Sequence, residues 1–291
     1  MNMSVVTQTV IPVFLLGLVG FIIGKIRKVD VKPFTDLIIF ITGPALIISS
    51  LTKAKIEITN SFSVALGSLS VMLVMGTIAI IILKLTKSKK KGLILPIAVG
   101  NTGFLGFPVA LFAFGNEGLA RALIYDITNG LILFSIGIYI VARRNHLKEI
   151  FKLPLVYTLP FALTLNYFHI AIPPMIDKPL EMIGLMTIPL ALMLLGYNVA
   201  HLKIKSFPLA LGASVLRIGG GFLVAFAVVN LFSLTGLVKN IIILEAAMPS
   251  AVMSMILCQR YNQDADLAAS IVLIGTMLSI VSIPLILSMI Q

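Results

Sequence analysis

Gly100-Asn101-Thr102-Gly103-Phe104-Leu105-Gly106-Phe107-Pro108 packs three glycines, two polar side chains and a proline into nine residues. That is poor material for a continuous helix. Proline removes a backbone donor and crowds the preceding turn, and glycine weakens a helix interior. Yet the stretch lies inside an apolar run at 93–114, long enough to cross a hydrocarbon core about 30 Å thick. It starts about eight residues into the run, so at ~1.5 Å per residue it brackets the bilayer midplane. Unwound backbone at that depth is tolerated only against protein or a water-filled cavity. Ala246-Ala247-Met248-Pro249-Ser250-Ala251 repeats the feature inside a run at 240–257, where an ordinary proline kink is the competing reading.

Working outward, 59% of the 291 residues are hydrophobic, 11% are charged and the mean hydropathy is +1.10. A soluble core of this size has no use for so much apolar surface. Ten apolar runs are expected as membrane-spanning helices, at 5–24, 34–52, 62–83, 93–114, 119–141, 153–171, 180–199, 207–230, 240–257 and 267–290. Helices are the open-ended structure that satisfies its own backbone in lipid. The connections after odd-numbered runs hold 16 Lys and Arg and those after even-numbered runs 5, counting Arg121 with its loop. Positive loops stay cytoplasmic, so both termini are expected outside a cell membrane. The first run has no basic residue before it and Lys25, Arg27 and Lys28 after it, which reads as a span and not a cleavable leader. The net charge of +11 sits in these loops and gives no reason to expect nucleic acid.

An internal duplication is also expected. Phe62-x-x-Ala65-Leu66-Gly67-Ser68 returns 145 positions later as Phe207-x-x-Ala210-Leu211-Gly212-Ala213, and Pro44 and Pro189 share that offset. Pro108 and Pro249 are 141 apart. Halves with five spans each must be inverted relative to one another, which sets 1–145 against 146–291. Paired helix interruptions at corresponding places in inverted halves point to a carrier's substrate site.

Three ionisable residues fall deep in the runs: Asp126, Arg217 and Glu245. Each is costly against lipid and is expected to find a partner, so a cluster of Arg217 with one or both acids is anticipated. Asn129 shares a helix face with Asp126. The cluster has a structural reading, as salt bridges, and a functional one, with Arg217 meeting a substrate carboxylate or an acid carrying a coupling proton or sodium ion. Gly219-Gly220-Gly221 is expected to serve close helix packing. His146, His169, His201 and the single Cys258 are scattered and suggest neither a metal site nor a disulfide.

Asn101 to Pro108, followed by Gly115-Asn116-Glu117-Gly118-Leu119-Ala120 and Tyr125-Asp126, resembles the auxin efflux carrier family. Ala247-Met248-Pro249-Ser250-Ala251, Tyr261 and Ser279-x-x-Ser282-x-Pro284 are similar to its C-terminal half. The resemblance covers nearly the whole chain. It implies a ten-helix fold shared with sodium/bile-acid symporters, with helices 4 and 9 broken and crossing. It also implies a scaffold of helices 1, 2, 6 and 7 and a mobile domain made of the rest. Plant members carry a long hydrophilic loop between halves, and here 142–152 occupies that place, as in short prokaryotic members described as permeases for malate, malonate or related anions.

The expected protein is an all-α polytopic carrier of a small organic anion, a mono- or dicarboxylate, working by elevator-type alternating access. Substrate contacts are expected from Asn101, Thr102, Gly103, Gly106, Pro108, Met248, Pro249, Ser250 and Arg217, and a coupling or charge cluster from Asp126, Asn129 and Glu245. No cofactor is expected beyond a possible coupling ion, sodium or proton. The partners expected are the substrate, the lipid bilayer and a second copy in a homodimer. An intramembrane enzyme needs a nucleophile with its base, paired catalytic acids or clustered metal ligands, and no HExxH, GxSxG or His/Cys cluster is present. A channel-like pathway stays open as the alternative.

Overall fold

The computed structural model describes residues 3–55, 57–87, 90–142, 151 and 153–290. The expected boundary between halves and His146 lie outside them. The described residues form helices with no strand, joined at one point by an isolated antiparallel bridge, Gly100 to Ser250.

In chain order the helices are α1 Met3–Ile26, α2 Lys32–Lys53, α3 Ile58–Leu85, α4 Ile94–Ala98, α5 at 102–114, α6 at 116–142, α7 Leu155–Tyr167, α8 Pro174–His201, α9 Phe207–Leu231, α10 Gly236–Ala246, α11 Val252–Arg260 and α12 Ala265–Ile290. By length and composition, seven helical stretches can cross a membrane, the run through α5 and α6 counting as one. The remainder are short: α7 has 13 residues, α10 has 11 and α11 has 9. Large apolar side chains such as Phe62, Met175, Leu223 and Val281 are exposed, as helices in lipid require.

The run through α5 and α6 is a hairpin. Gly115 has φ +66°, a left-handed value that favours glycine. A Cβ on Gly118 would lie 2.8 Å from the carbonyl oxygen of Ala110, eight residues earlier. In a straight helix eight residues span ~12 Å. The chain therefore turns back on itself at Gly115, which brings Thr102 beside Asp126 and Asn129.

Two groups of helices pack within themselves. In the first, α1 lies along α8, and α2 packs on α7 and α8. Bare backbone makes the first of these contacts possible: a Cβ on Gly20 would overlap the Met193 carbonyl, and one on Gly196 the Gly17 carbonyl. Lys25 Nζ donates to the Ala200 carbonyl at 2.7 Å near the end of α8, where the helix dipole favours a cation. Asn166 Nδ2 donates to the carbonyls of Leu51 (2.7 Å) and Ala54 (2.8 Å) at the end of α2. In the second group α3, α6, α9, α10 and α12 surround the short helices α4 and α11.

Both expected interruptions are present, one of them displaced. Helix is absent at Ala247–Ala251, as the Met248-Pro249 reading anticipates. In the earlier run the break is at Val99–Asn101, upstream of the expected Gly103 to Pro108. Helix resumes at Thr102 through a π-turn, Thr102–Gly106, and Pro108 follows directly on that widened turn, one of the places where a helix accommodates a missing N–H. Pro108 and Pro249 are thus not equivalent: one follows a break, the other lies in one.

Candidate functional site

The two breaks meet. The Asn101 N–H donates to the Pro249 carbonyl at 2.7 Å, and the Ala251 N–H donates to the Val99 carbonyl at 3.0 Å. Each extended segment thereby satisfies part of what its own helix has lost. Ser250 Oγ, fully buried, donates to the Pro96 carbonyl at 2.6 Å. Proline at 249 suits this arrangement, because the helix must stop there and the residue supplies only a carbonyl.

This crossing has two unlike sides. On one lies a cavity of about 230 Å³. The first turns of α5 (Thr102, Gly103, Phe104) and α11 (Val252, Met253) line it, and helix N-termini carry unpaired N–H groups and partial positive charge. Its opposite wall is Ile38, Leu46, Thr187, Ala191 and Asn198 from α2 and α8. Most of the surface is apolar, and among the described residues the one charged residue lining it is Asp126. Thr102 Oγ1 donates to Asp126 Oδ1 and accepts from Asn129 Nδ2 at 3.2 Å. Two buried polar atoms of lining residues, Asn101 Nδ2 and Thr187 Oγ1, have no hydrogen-bond partner. Such atoms are costly unless a ligand or water completes them.

On the other side the C-terminal ends of α4 and α10 converge on Arg217, which is 2% exposed. Its Nη1 donates to the carbonyls of Ile97 (3.2 Å) and Ala98 (2.9 Å), its Nε to Met248 (3.2 Å) and its Nη2 to Ala246. Arg217 lies in a π-turn of α9, Leu216–Gly220, a widened turn common at functional sites. Gly100, Thr102, Tyr125, Asn129, Arg217 and Glu245 share a small polar pocket behind the crossing.

The structure gathers Asn101, Thr102, Gly103, Asp126 and Asn129 at the main cavity, and leaves the other expected residues off its wall. Met248, Pro249 and Ser250 hold the crossing together through main-chain and buried contacts. Gly106 faces Glu245: a Cβ there would overlap the carboxylate. Gly103 stands against Asp126, with both carboxylate oxygens 3.4 Å from the position of a Cβ. Arg217 shares the small pocket with Glu245, but its hydrogen bonds go to carbonyls and not to an acid, and Arg217 does not line the cavity. Both oxygens of Glu245 lack a hydrogen-bond partner. The carbonyls freed by two breaks outcompete the acids because they surround the guanidinium on three of its nitrogens. Sequence reading missed Thr187 and Asn198. Both are polar residues inside an apolar run, the same signal that singled out Asn129.

A model of the family described as membrane transport protein matches residues 5–152 and 141–287. An uncharacterized transporter of Methanocaldococcus jannaschii is 33% identical over 298 residues, covering 96% of each chain. An uncharacterized transporter of Methanothermobacter thermautotrophicus is 30% identical over 305 residues, again covering 96% of each. With its apolar helices and the crossing built from the Asn101 motif, the chain belongs to this membrane transport family of auxin efflux carrier type, a multi-pass membrane transporter and not an enzyme.

Proposed function

We propose that this transporter is a secondary carrier of a small organic anion with an apolar body, bound in the cavity between the crossing and the wall formed by α2 and α8. The observation that carries the reading is the pairing of two half-helix N-termini with unpartnered Asn101 Nδ2 and Thr187 Oγ1 in one largely apolar cavity. A carboxylate accepts hydrogen bonds from N–H groups and is favoured at positive helix ends. The apolar remainder faces Ile38, Leu46, Phe104 and Ala191. One polar end and one apolar wall suit a monocarboxylate better than a dicarboxylate. Among the described residues no Lys or Arg lines the cavity, so in this reading affinity comes from these N–H groups and from Asn101.

In this reading the chain crosses a cell membrane ten times as two inverted halves of five helices, with α4–α5 and α10–α11 each counting once. The closer packing of α1 with α8, and of α2 with α7 and α8, than of these helices with the rest supports a scaffold against which the crossing moves as an elevator, alternating access to the two sides. Both termini then lie outside, which the loop charges support. With Lys87→Cys and Asn116→Cys, both at exposed positions, an impermeant thiol reagent on intact cells is expected to label Asn116→Cys alone. Labelling of Lys87→Cys alone would reverse the orientation.

Substrate class is tested in proteoliposomes with labelled mono- and dicarboxylates. Saturable flux with counterflow is expected, and Asn101→Ala is expected to lower it roughly tenfold, the value of one hydrogen bond to a charged group. A broad anion panel without saturable flux, alongside a transported neutral or cationic solute, would remove the anion reading. Flux that does not saturate and shows no counterflow would favour a channel.

A further inference from the structure

A helix interrupted in the membrane leaves the last carbonyls of its first half unpaired. Where two such helices cross, those carbonyls form a ready-made cation site, and in carriers with broken helices they commonly hold the coupling ion. Here the carbonyls at issue are those of Ile97 and Ala98, ending α4, and those of Ala246 and Met248, at the end of α10 and just beyond it. All four accept hydrogen bonds from one side chain, Arg217 of a third helix.

The fit depends on guanidinium chemistry. Its planar fork offers five N–H donors, keeps its charge in any protein environment and is weakly hydrated. One edge serves α4 through Nη1, and Nε and Nη2 serve α10 and the segment after it. The backbone approaches the charge closely on both sides: Cβ atoms on Gly100 and Gly221 would lie 3.1 and 3.0 Å from Nη2. Glu245 lines the same small pocket, so the site also has a buried carboxylate nearby. The positive charge further offsets the negative ends of two helix dipoles that point at one place.

We infer that Arg217 is a tethered cation, filling the position where the C-terminal ends of the two broken helices converge, so that the crossing closes without a bound sodium ion there. The guanidinium takes the oxygen ligands a metal ion would need, and it cannot dissociate during transport. Arg217 is thus a positioning residue: it holds α4 and α10 together while their partner helices α5 and α11 face the cavity. Any ion that couples transport must bind elsewhere. That last consequence rests on the carrier reading, whereas the site itself does not.

The test reads folding, and so is independent of which solute is carried. Thermal unfolding of purified full-length protein is compared in sodium chloride and choline chloride at equal ionic strength. The wild-type difference between the two salts is the baseline subtracted from each variant, since sodium bound elsewhere acts on all of them alike. Arg217→Ala is expected to lose roughly 5–15 °C. It should regain at least half of that loss in low-millimolar guanidinium and a smaller part in sodium, as ligands that bind only the folded state do. Urea, a neutral molecule of the same shape, should restore nothing at the same concentration. Arg217→Lys keeps a point charge without the fork, so it is expected to fold with a smaller loss and to ignore sodium. An Arg217→Lys protein stabilised by sodium beyond that baseline overturns the inference. So does an Arg217→Ala protein restored equally by urea, or by neither cation. If Arg217→Ala yields no folded protein, Arg217→Lys still decides, by the same outcome.

Discussion

Gly221→Ala is expected to destroy most of the folded, active protein, while Gly219→Ala, two residues away, leaves both folding and transport intact. The three glycines Gly219, Gly220 and Gly221 are alike in sequence and unlike in surroundings. A Cβ at 221 would overlap the carbonyl oxygen of Ala246, and it would stand 3.0 Å from that carbonyl's carbon and from Arg217 Nη2. Both obstacles are fixed, one being main chain and the other a side chain held by four carbonyls. Relief requires α9 to move away from the end of α10, which also withdraws Arg217. Overpacking alone costs about 1–3 kcal/mol, and loss of a buried charge's partners about 3–5 kcal/mol. At position 220 the nearest atoms are the flexible Leu216 and Met75 side chains at 3.3 Å, and at 219 nothing lies within 4 Å. Thermal midpoints and proteoliposome flux of the three Ala variants should therefore rank 219 above 220 above 221, the last lower by roughly 10 °C. Equal losses at 219 and 221 would show that the α9–α10 approach does not matter.

Asp126→Asn is expected to separate affinity from turnover. Asp126 is the one charged residue on the cavity wall among the described residues, it accepts from Thr102 at the start of α5, and it stands against Gly103. Asparagine keeps an oxygen acceptor for Thr102 and removes the charge. A carboxylate ~8 Å from a bound anion repels it by about 1–2 kcal/mol in a partly polar site, which is roughly tenfold in affinity. The half-saturating concentration of an anionic substrate should accordingly fall about tenfold, and maximal flux should fall with it because the bound anion leaves more slowly. Asp126→Ala also strips Thr102 of its acceptor, and is expected to lose flux about a hundredfold by disordering the first turn of α5. Initial rates over a range of substrate concentrations measure both. An unchanged half-saturation in Asp126→Asn would place the anion away from this wall.

The membrane class, the helical stretches and the presence of two interruptions were readable residue by residue. In lipid each helix must satisfy its own backbone, so the apolar run sets its length and the Gly-Asn-Thr-Gly and Met-Pro-Ser segments mark where it fails. Even so, local composition misplaced the first interruption. Gly103, Gly106 and Pro108 are weak helix formers, but they lie in helix: Pro108 follows a π-turn that widens the helix before it, and the two glycines make room for Asp126 and Glu245. The break moved to Val99–Asn101, where the backbone could bridge to Pro249 and Ala251.

Sequence alone also singled out Asn101 and Thr102 as substrate contacts and Asp126 and Asn129 as part of a charge cluster, and the hairpin at Gly115 is what brings the two pairs together. Only the tertiary structure decided what Arg217 does. Charge counting paired it with Asp126 or Glu245, the acids visible as side chains. Its partners are instead main-chain carbonyls, 119 and 120 residues away in α4 and 29 and 31 residues away around the end of α10. Every residue carries a carbonyl, so no side-chain pattern announces which ones a helix break will free. That choice belongs to the packing that brings two chain interruptions to one point.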